Sequence, residues 1–237
     1  LVRAHVEAKK VGIPLLVGSR IDLKDGASML AYPENRLAYG RLSKLITLGR
    51  RRSPKGECEL YREDILEHAT GMVLVSIPPR GCDVEFEVEL AALNAAIPGS
   101  VYLAASHSLR GDDDAHLDWL SKVATRAGVP MVATNDVLMH QESRRPLLDI
   151  LTCIRKNITV DTAGYWISRN GERRIKSREE MARLFVHYPG ALVRTVEIAE
   201  RCHFSLDELI YEYPNEVTSS GRSPQVALEQ LTNVGSK

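Results

Sequence analysis

Short apolar runs alternate with helical patterns along the first 140 residues, and this alternation limits the folds open to the chain. Five runs are rich in aliphatic or β-branched residues and are bounded by Gly, Pro or polar turns. They are IPLLVG (13–18), ASMLAY (27–32), MVLVSI (72–77), SVYLAAS (100–106) and VPMVAT (129–134). Strands separated by helices predict βα units and a mainly parallel sheet, arranged as a barrel or as a doubly wound sheet.

Helical periodicity fills the gaps between these runs and dominates after residue 140. The predicted helices before that point are 1–11, 34–50, 62–69, 84–96 and 112–128. Beyond it, four aliphatic residues share one helical face: Leu147, Ile150, Leu151 and Ile154. Ser177 with Glu180 is typical of a capping box, and Pro189 is suited to the first turn of a further helix.

Charge and cysteine content narrow the classes of partner. Lys plus Arg and Asp plus Glu both number 31, so the formal net charge of zero gives no general attraction to nucleic acid or membranes. No apolar run approaches the roughly 20 residues of a membrane helix, so no membrane partner is expected. The cysteines show no metal-binding spacing, which favours free thiols and a cytoplasmic location. They are Cys58, Cys82, Cys153 and Cys202.

In a βα barrel, functional groups gather beyond the carboxyl ends of the strands. The candidate positions are Ser19-Arg20, Ser76-Ile77, Ser106-His107 and Asn135-Asp136. Asp136 and His107 are the best candidate metal ligands, because carboxylate and imidazole together suit zinc, manganese or iron. The alternative is that Asp136 caps a turn and His107 forms a local hydrogen bond. His140 fits no strand-end pairing with Asp136, since strand side chains alternate with period two.

Arg50, Arg51 and Arg52, followed by Lys55, form a basic cluster at the end of a predicted helix. These three arginines are candidates for contacts with DNA phosphates. The alternative is a solvated helix end, where the helix dipole favours cations. The sequence leaves both interpretations open.

Several long blocks carry a family resemblance. They include LVGSRIDLKDG (16–26), RLAYGRLSKLITLGRRRSPKGEC (36–58), VATNDVLMH (132–140), RRIKSREEMARLF (173–185) and EIAERCHFSLDELIYEYP (197–214). These blocks resemble the N-terminal region of bacterial C-family replicative polymerases. They are more similar to the error-prone alpha-subunit relatives used in damage-tolerant synthesis. The resemblance covers nearly the whole chain.

The resemblance implies a polymerase-and-histidinol-phosphatase (PHP) domain, which is a distorted, TIM-like βα barrel. The family's first strands carry a His-x-His pair that would precede Leu1. We therefore expect an α/β fold in three parts. These are an incomplete PHP barrel lacking its first strands (1–140), a helical segment completing the PHP region (141–210) and a linker toward a polymerase palm and thumb (211–237).

Active members of the family hold a metal cluster at the barrel rim, and the resemblance implies that this rim is degraded here. Where the family has Glu, Gly-Cys and His, this chain has Arg20, Ile77-Pro78 and Leu138. Only Asp136 and His107 remain as vestigial ligands, whereas a catalytic metal site needs about three protein ligands. We therefore expect no bound metal and no catalytic residue in this segment. Leu138 is expected to pack where the family's imidazole projects.

The function implied by the resemblance is that of a fragment of an error-prone, translesion and repair-associated DNA-directed DNA polymerase. Its expected partners are DNA, deoxynucleotides and other replication or translesion proteins. Mg²⁺ is expected for a polymerase domain beyond this segment. A start at Leu1 rather than Met favours a piece of a longer chain. The alternatives are a metal-dependent PHP phosphoesterase or 3′–5′ exonuclease, and a non-enzymatic interaction domain.

Overall fold

A computed structural model describes residues 1–79, 84–210 and 223–235, and within them five strands form one sheet. The strands are β1 (Ser19–Ile21), β2 (Met29–Pro33), β3 (Met72–Ser76), β4 (Val101–Ser106) and β5 (Met131–Thr134). They lie side by side in chain order. The predicted strands at 27–32, 72–77, 100–106 and 129–134 are thus confirmed to within a few residues.

The first predicted strand is displaced. The run 13–18 does not pair with a neighbour, and β1 begins only at Ser19. Val17 is nevertheless buried while Ile13 is 63% exposed, so only the end of the run packs against the fold, without joining the ladder. An apolar run predicts only that its side chains are buried. A strand also needs a neighbouring backbone close enough for hydrogen bonds, which the sequence of the run does not specify.

The sheet is mixed, and the prediction of a mainly parallel sheet was wrong. β3 pairs in parallel with β4, and β4 with β5, but β1–β2 and β2–β3 are antiparallel. The polar turn at 24–26 explains the first antiparallel pair, because parallel neighbours need a crossover of a dozen or more residues. Among the described residues β1 does not pair with β5. The mixed α/β class is confirmed, and the barrel stays a prediction.

Nine α-helices occur in the described residues. They are α1 (Val2–Val11), α2 (Arg36–Arg52), α3 (Arg62–His68), α4 (Val84–Ala96), α5 (Asp113–Ala127), α6 (Arg145–Lys156), α7 (Arg178–Leu184), α8 (Pro189–Arg201) and α9 (Pro224–Gly235). Short 3-10 turns occur at Glu142–Arg144, Gly164–Trp166 and Leu206–Glu208. None of the helices in these ranges is long and apolar enough to cross a bilayer.

Local signals set several helix ends as expected. Gly12 and Gly128 end α1 and α5 in the left-handed region, with φ of 71° and 66°, which glycine adopts without a Cβ clash. Ser177 caps α7 by accepting a hydrogen bond from the Glu180 N–H at 3.1 Å. The Glu180 carboxylate binds Arg174 at 2.7 and 3.1 Å, so only the Ser177 half of the predicted capping box is observed.

Both faces of the central strands are buried. Met72 and Leu74 of β3 lie in a large cluster with α2, α3, α4 and α5, while Val73 and Val75 lie in a smaller cluster that includes the end of α8. Coverage on both faces accounts for the continuous apolar run in β3. Helix α8 also protects the β5 edge, where Arg194 donates to the Met131 carbonyl oxygen at 3.1 Å.

A polar network fixes the end of α8 to the sheet. Arg201 donates to the Tyr102 hydroxyl at 2.8 Å and pairs with Glu34 at 2.8 Å. The Tyr102 hydroxyl in turn donates to the Glu197 carboxylate. Glu34 also accepts a backbone bond from His203 at 3.0 Å. These contacts join three distant parts of the chain beside the smaller cluster.

Contacts divide the chain into two compact units, Leu1–Leu206 and Asp207–Lys237. The described part of the second unit consists mainly of α9. The linker predicted at 211–237 lies partly outside the described residues, which omit 211–222 and 236–237. The predicted boundaries at 140 and 210 stay predictions. Cys58, Cys153 and Cys202 are free thiols, and Cys82 lies outside the described residues.

Candidate site at the strand ends

Asp136 lies just beyond β5 in the left-handed backbone region, with φ of 39°. Its carboxylate binds the Arg173 guanidinium, and Arg173 Nε donates to the Asp136 carbonyl oxygen at 3.0 Å. A cationic side chain from a distant segment therefore occupies the carboxylate that the sequence singled out as the best metal ligand.

A second cation lies beside the neighbouring residue. Lys176 Nζ donates to Asn135 Oδ1 at 3.0 Å and pairs with Glu172 Oε2 at 3.1 Å. The Lys176 side chain is 0% exposed, and Glu172 is 16% exposed. A buried ammonium needs such partners, because an unpaired charge away from water is costly. Lys176 thus adds a second positive charge, beside that of Arg173, at the end of β5.

The interpretation of Leu138 as a packed replacement for an imidazole was wrong. Its side chain is 47% exposed, and only its backbone N–H is fixed, donating to the Arg173 carbonyl oxygen at 2.8 Å. Met139 is the buried residue of this stretch, and it forms an isolated parallel β-bridge with Arg174. His140 is exposed.

His107 follows β4 and lies among carboxylates. Its Nδ1 is 4.0 Å from Asp113 Oδ1, and its Nε2 is 3.8 Å from Asp114 Oδ1. Burial would raise the pKa of Asp113, but N–H groups of Ser108 and Arg110 bind the carboxylate and hold that pKa below its usual value. Asp113, the first residue of α5, therefore fixes the loop at Ser108 and Arg110 that leads into the helix, and His107 lies beside it.

The segment 168–176 reaches the ends of both β4 and β5. Asn170 Nδ2 donates to the Ser108 carbonyl oxygen at 2.7 Å, while Arg173 and Lys176 bind Asp136 and Asn135. Sequence reasoning missed this segment as part of the site. The available signal was three cations within four residues, Arg173, Arg174 and Lys176, but nothing local indicated where they would bind.

The remaining strand-end candidates also have internal partners. Ser19 and Arg20 lie inside β1, not beyond its end, which corrects their predicted position. Arg20 Nε binds Asp22 Oδ1 at 2.9 Å, and Ser28 Oγ donates to the same oxygen. Ser76 is buried and ends β3, with Ile77 half-buried beyond it. Arg20 therefore neutralises a carboxylate of its own strand region.

The donors present do not fit a metal cluster. In the described ranges, no group of three His, Cys, Asp or Glu side chains is placed to hold a metal ion. Asp136 is bound by Arg173, and Asp113 is bound by two backbone N–H groups. A metal at either carboxylate would have to displace existing partners.

The basic cluster divides into two parts. Arg52 Nη1 binds Asp64 Oδ2 at 2.6 Å, and its guanidinium lies 5.9 Å from the Tyr61 ring centroid. Asp64 is only 8% exposed in its side chain and also accepts the Tyr61 N–H at 2.9 Å. Arg52 is therefore engaged in holding α2 against α3. Arg50 and Arg51 are exposed in the last turn of α2.

These features define a class: a mixed α/β domain whose strand ends are held together by protein ion pairs.

No protein-family model matches the chain. It is 44% identical over 229 residues to error-prone DNA polymerase 1 of Agrobacterium fabrum, covering 97% of this chain. It is 43% identical over 233 residues to the error-prone DNA polymerase of Caulobacter vibrioides and 45% identical over 222 residues to that of Ruegeria pomeroyi.

These alignments cover 98% and 93% of this chain for the last two relatives. The chain spans only about a fifth of each relative's length, at 21%, 22% and 20%. The resemblance to error-prone DNA polymerases read from the sequence is confirmed by these relatives. The PHP assignment within that resemblance stays a prediction.

Proposed function

We propose that this chain is part of an error-prone DNA polymerase, which joins deoxynucleotides to a primer end on a DNA template. One observation carries the proposal: identity of 43–45% across at least 93% of the chain to relatives that bear this name. DNA and deoxynucleotides are then the substrates. Other replication or translesion proteins are further proposed partners.

Polymerase chemistry uses two Mg²⁺ ions held by carboxylates, which stabilise the attacking and leaving oxygens. The described residues provide no such group, since no three acidic, His or Cys side chains among them converge on one point. The proposal therefore places the Mg²⁺ ligands in the part of the relatives that this chain does not match. No catalytic residue is assigned here.

The role proposed for the present residues is that of a scaffold derived from a PHP barrel. This role is supported by the five-stranded sheet and by the helices that pack on one of its faces to form the larger hydrophobic cluster. The contacts of Arg173 with Asp136 and of Lys176 with Asn135 and Glu172 support a degraded rim, because protein cations balance the charges there. A PHP phosphoesterase or exonuclease would need those carboxylates and further ligands for its metal ions.

Primer extension by the full-length polypeptide that contains this sequence tests the polymerase proposal. With Mg²⁺, a primed template and deoxynucleotides, we expect template-directed extension, and the unprimed template serves as the control. Absence of extension would overturn the proposal. Metal-dependent hydrolysis of a phosphodiester without any extension would favour the phosphoesterase instead.

A contact between the α2 end and DNA is a separate part of the proposal. Arg50 and Arg51 are exposed there, so each could neutralise one phosphate. The double variant Arg50→Ala/Arg51→Ala should then lower the slope of log affinity against log salt by roughly two. The matched control is Arg36→Ala at the other end of the same helix. An unchanged slope would leave a solvated helix end as the role of these arginines.

A further inference from the structure

Helix α6 turns its apolar side away from the fold. The four aliphatic residues predicted to share a face do so, and each is about half exposed or more. They form the α6 stripe: Leu147 (48%), Ile150 (48%), Leu151 (51%) and Ile154 (69%). Their spacing of three and four residues places them on one line along the helix.

The opposite, mostly polar side of α6 contacts the protein. Arg145 Nη2 donates to the Ser168 carbonyl oxygen at 2.8 Å, and Lys156 Nζ lies 4.1 Å from the centroid of the Trp166 ring. Cys153, on the same side, is the buried residue of the helix. A surface helix normally buries its apolar stripe and exposes its polar face, so α6 is inverted relative to that rule. The stripe therefore has the character of an interface that the described residues leave uncovered.

Charge and area indicate what covers the stripe. Arg144 and Arg155 are exposed along one flank of it. Antiparallel pairing of two copies of α6 through the stripe would bring these arginines against each other, so charge disfavours that arrangement of a second copy. Four partly exposed aliphatic side chains also cover far less than the roughly 800 Å² per partner of a stable free-standing interface.

A small apolar contact can persist when the two surfaces belong to one polypeptide, because tethering gives a high effective concentration. The relatives are nearly five times as long as the segment that this chain matches. We propose that the α6 stripe is the docking surface for a helix of the same polymerase polypeptide outside residues 1–237, with aliphatic residues facing the stripe and carboxylates facing Arg144 and Arg155. This inference rests on the proposed function.

Thiol labelling of the full-length polypeptide tests the docking surface. Ile154→Cys reports on the stripe, and Leu37→Cys, at a 74% exposed aliphatic position of α2, is the matched control. The native exposed Cys58 gives an internal reference rate. We expect Ile154→Cys to react with N-ethylmaleimide about tenfold or more slowly than Leu37→Cys, since labelling must wait for the interface to open. Equal rates at the two positions would overturn the proposal.

Cross-linking from Ile154→Cys identifies the covering segment. The expected product joins it to a peptide outside residues 1–237 of the same polypeptide, and adding Ile150→Glu should abolish both the cross-link and the protection. A cross-link within residues 1–237, or protection that disappears on dilution together with a dimer, would contradict the proposal. If Ile150→Glu does not fold, the single cysteine variants still decide.

Primer extension by the wild-type protein separates the polymerase proposal from the docking-surface proposal. Protection of Ile154→Cys without any extension would remove the polymerase proposal and keep the docking surface. Extension without protection would remove the docking surface and keep the polymerase proposal.

Discussion

Arg173 binds Asp136 twice, through Nε to the backbone carbonyl oxygen at 3.0 Å and through Nη2 to the carboxylate. Two like unit charges about 4 Å apart repel by roughly 4 kcal/mol at an effective dielectric of 20. A metal ion at Asp136 would therefore have to displace Arg173 or bear this repulsion for each unit of its charge. The pair explains why a carboxylate at a strand end does not by itself make a metal site.

Metal content is the first prediction. The full-length protein, after gel filtration, should carry well below one Zn or Mn per chain, because the carboxylates at the strand ends already have protein partners. Elemental analysis before and after EDTA treatment measures this. One Zn or Mn per chain that survives gel filtration would show that the rim binds metal despite Arg173.

Removing the buried ammonium should destabilise the fold. Lys176→Met leaves Glu172 without its cation in a site where the lysine side chain is 0% exposed. We expect a loss of about 3 kcal/mol or more in the free energy of unfolding of this region. Lys122→Met is the control, because the Lys122–Asp118 pair is exposed and its loss should cost less than about 1 kcal/mol. Urea denaturation gives the free energy of unfolding of both variants, and hydrogen exchange in α7 and α8 locates the effect of Lys176→Met. Equal losses in the two variants would refute the structural role of Lys176.

Alanine substitutions at two glycines of α2 should change the stability of the fold in opposite directions. A Cβ on Gly49 would lie 2.7 Å from both Cys58 Sγ and Leu60 Cγ, whereas a Cβ on Gly40 meets no atom within 4 Å. Gly49→Ala should therefore destabilise by about 1–3 kcal/mol through overpacking. Gly40→Ala should stabilise by up to about 1 kcal/mol, since alanine is the better helix former. Thermal denaturation of the two variants checks this, and a harmless Gly49→Ala would argue against the close approach of α2 to Leu60.

The Arg52 side chain should matter for stability, unlike Arg50. Arg52→Ala leaves the buried Asp64 carboxylate without its 2.6 Å partner. We expect Arg52→Ala to lower stability measurably, because Asp64 loses a charged hydrogen-bond donor, and the exposed Arg50→Ala to change it by no more than about 0.5 kcal/mol. Guanidinium denaturation midpoints measure the difference. Similar midpoints for the two variants would mean that the Arg52–Asp64 pair contributes little.

Acid sensitivity should depend on Asp113. Its folded pKa lies below the usual 3.8, so the unfolded chain takes up the proton first as the pH falls. The stabilisation is therefore fully present above 3.8 and is lost as the pH falls through the lower, folded pKa. The stability of wild type should exceed that of Asp113→Asn at pH 7 and approach it in acid. Asp118→Asn, on the exposed face of α5, should show no such convergence. Parallel pH profiles for wild type and Asp113→Asn would contradict this.

Much of the fold followed from local patterns. Apolar runs located β2 to β5, and Gly12 and Gly128 marked the ends of α1 and α5, because period, capping and left-handed backbone are properties of a few neighbouring residues. Helical spacing also predicted that the four residues of the α6 stripe share one face of the helix. Long blocks of sequence gave the resemblance to polymerases, which no single motif could have given.

Tertiary structure alone decided which surfaces and charges meet. In the structure, β2 runs antiparallel to β3 and not parallel as predicted, β1 lies at Ser19–Ile21 and not at 13–18, and the α6 stripe faces outward. Tertiary structure also brought Arg173 and Lys176 to Asp136 and Asn135 across about 40 residues of chain. Periodicity states that a side chain is apolar or charged, but not which partner it finds, because that partner is set by contacts between segments far apart in sequence.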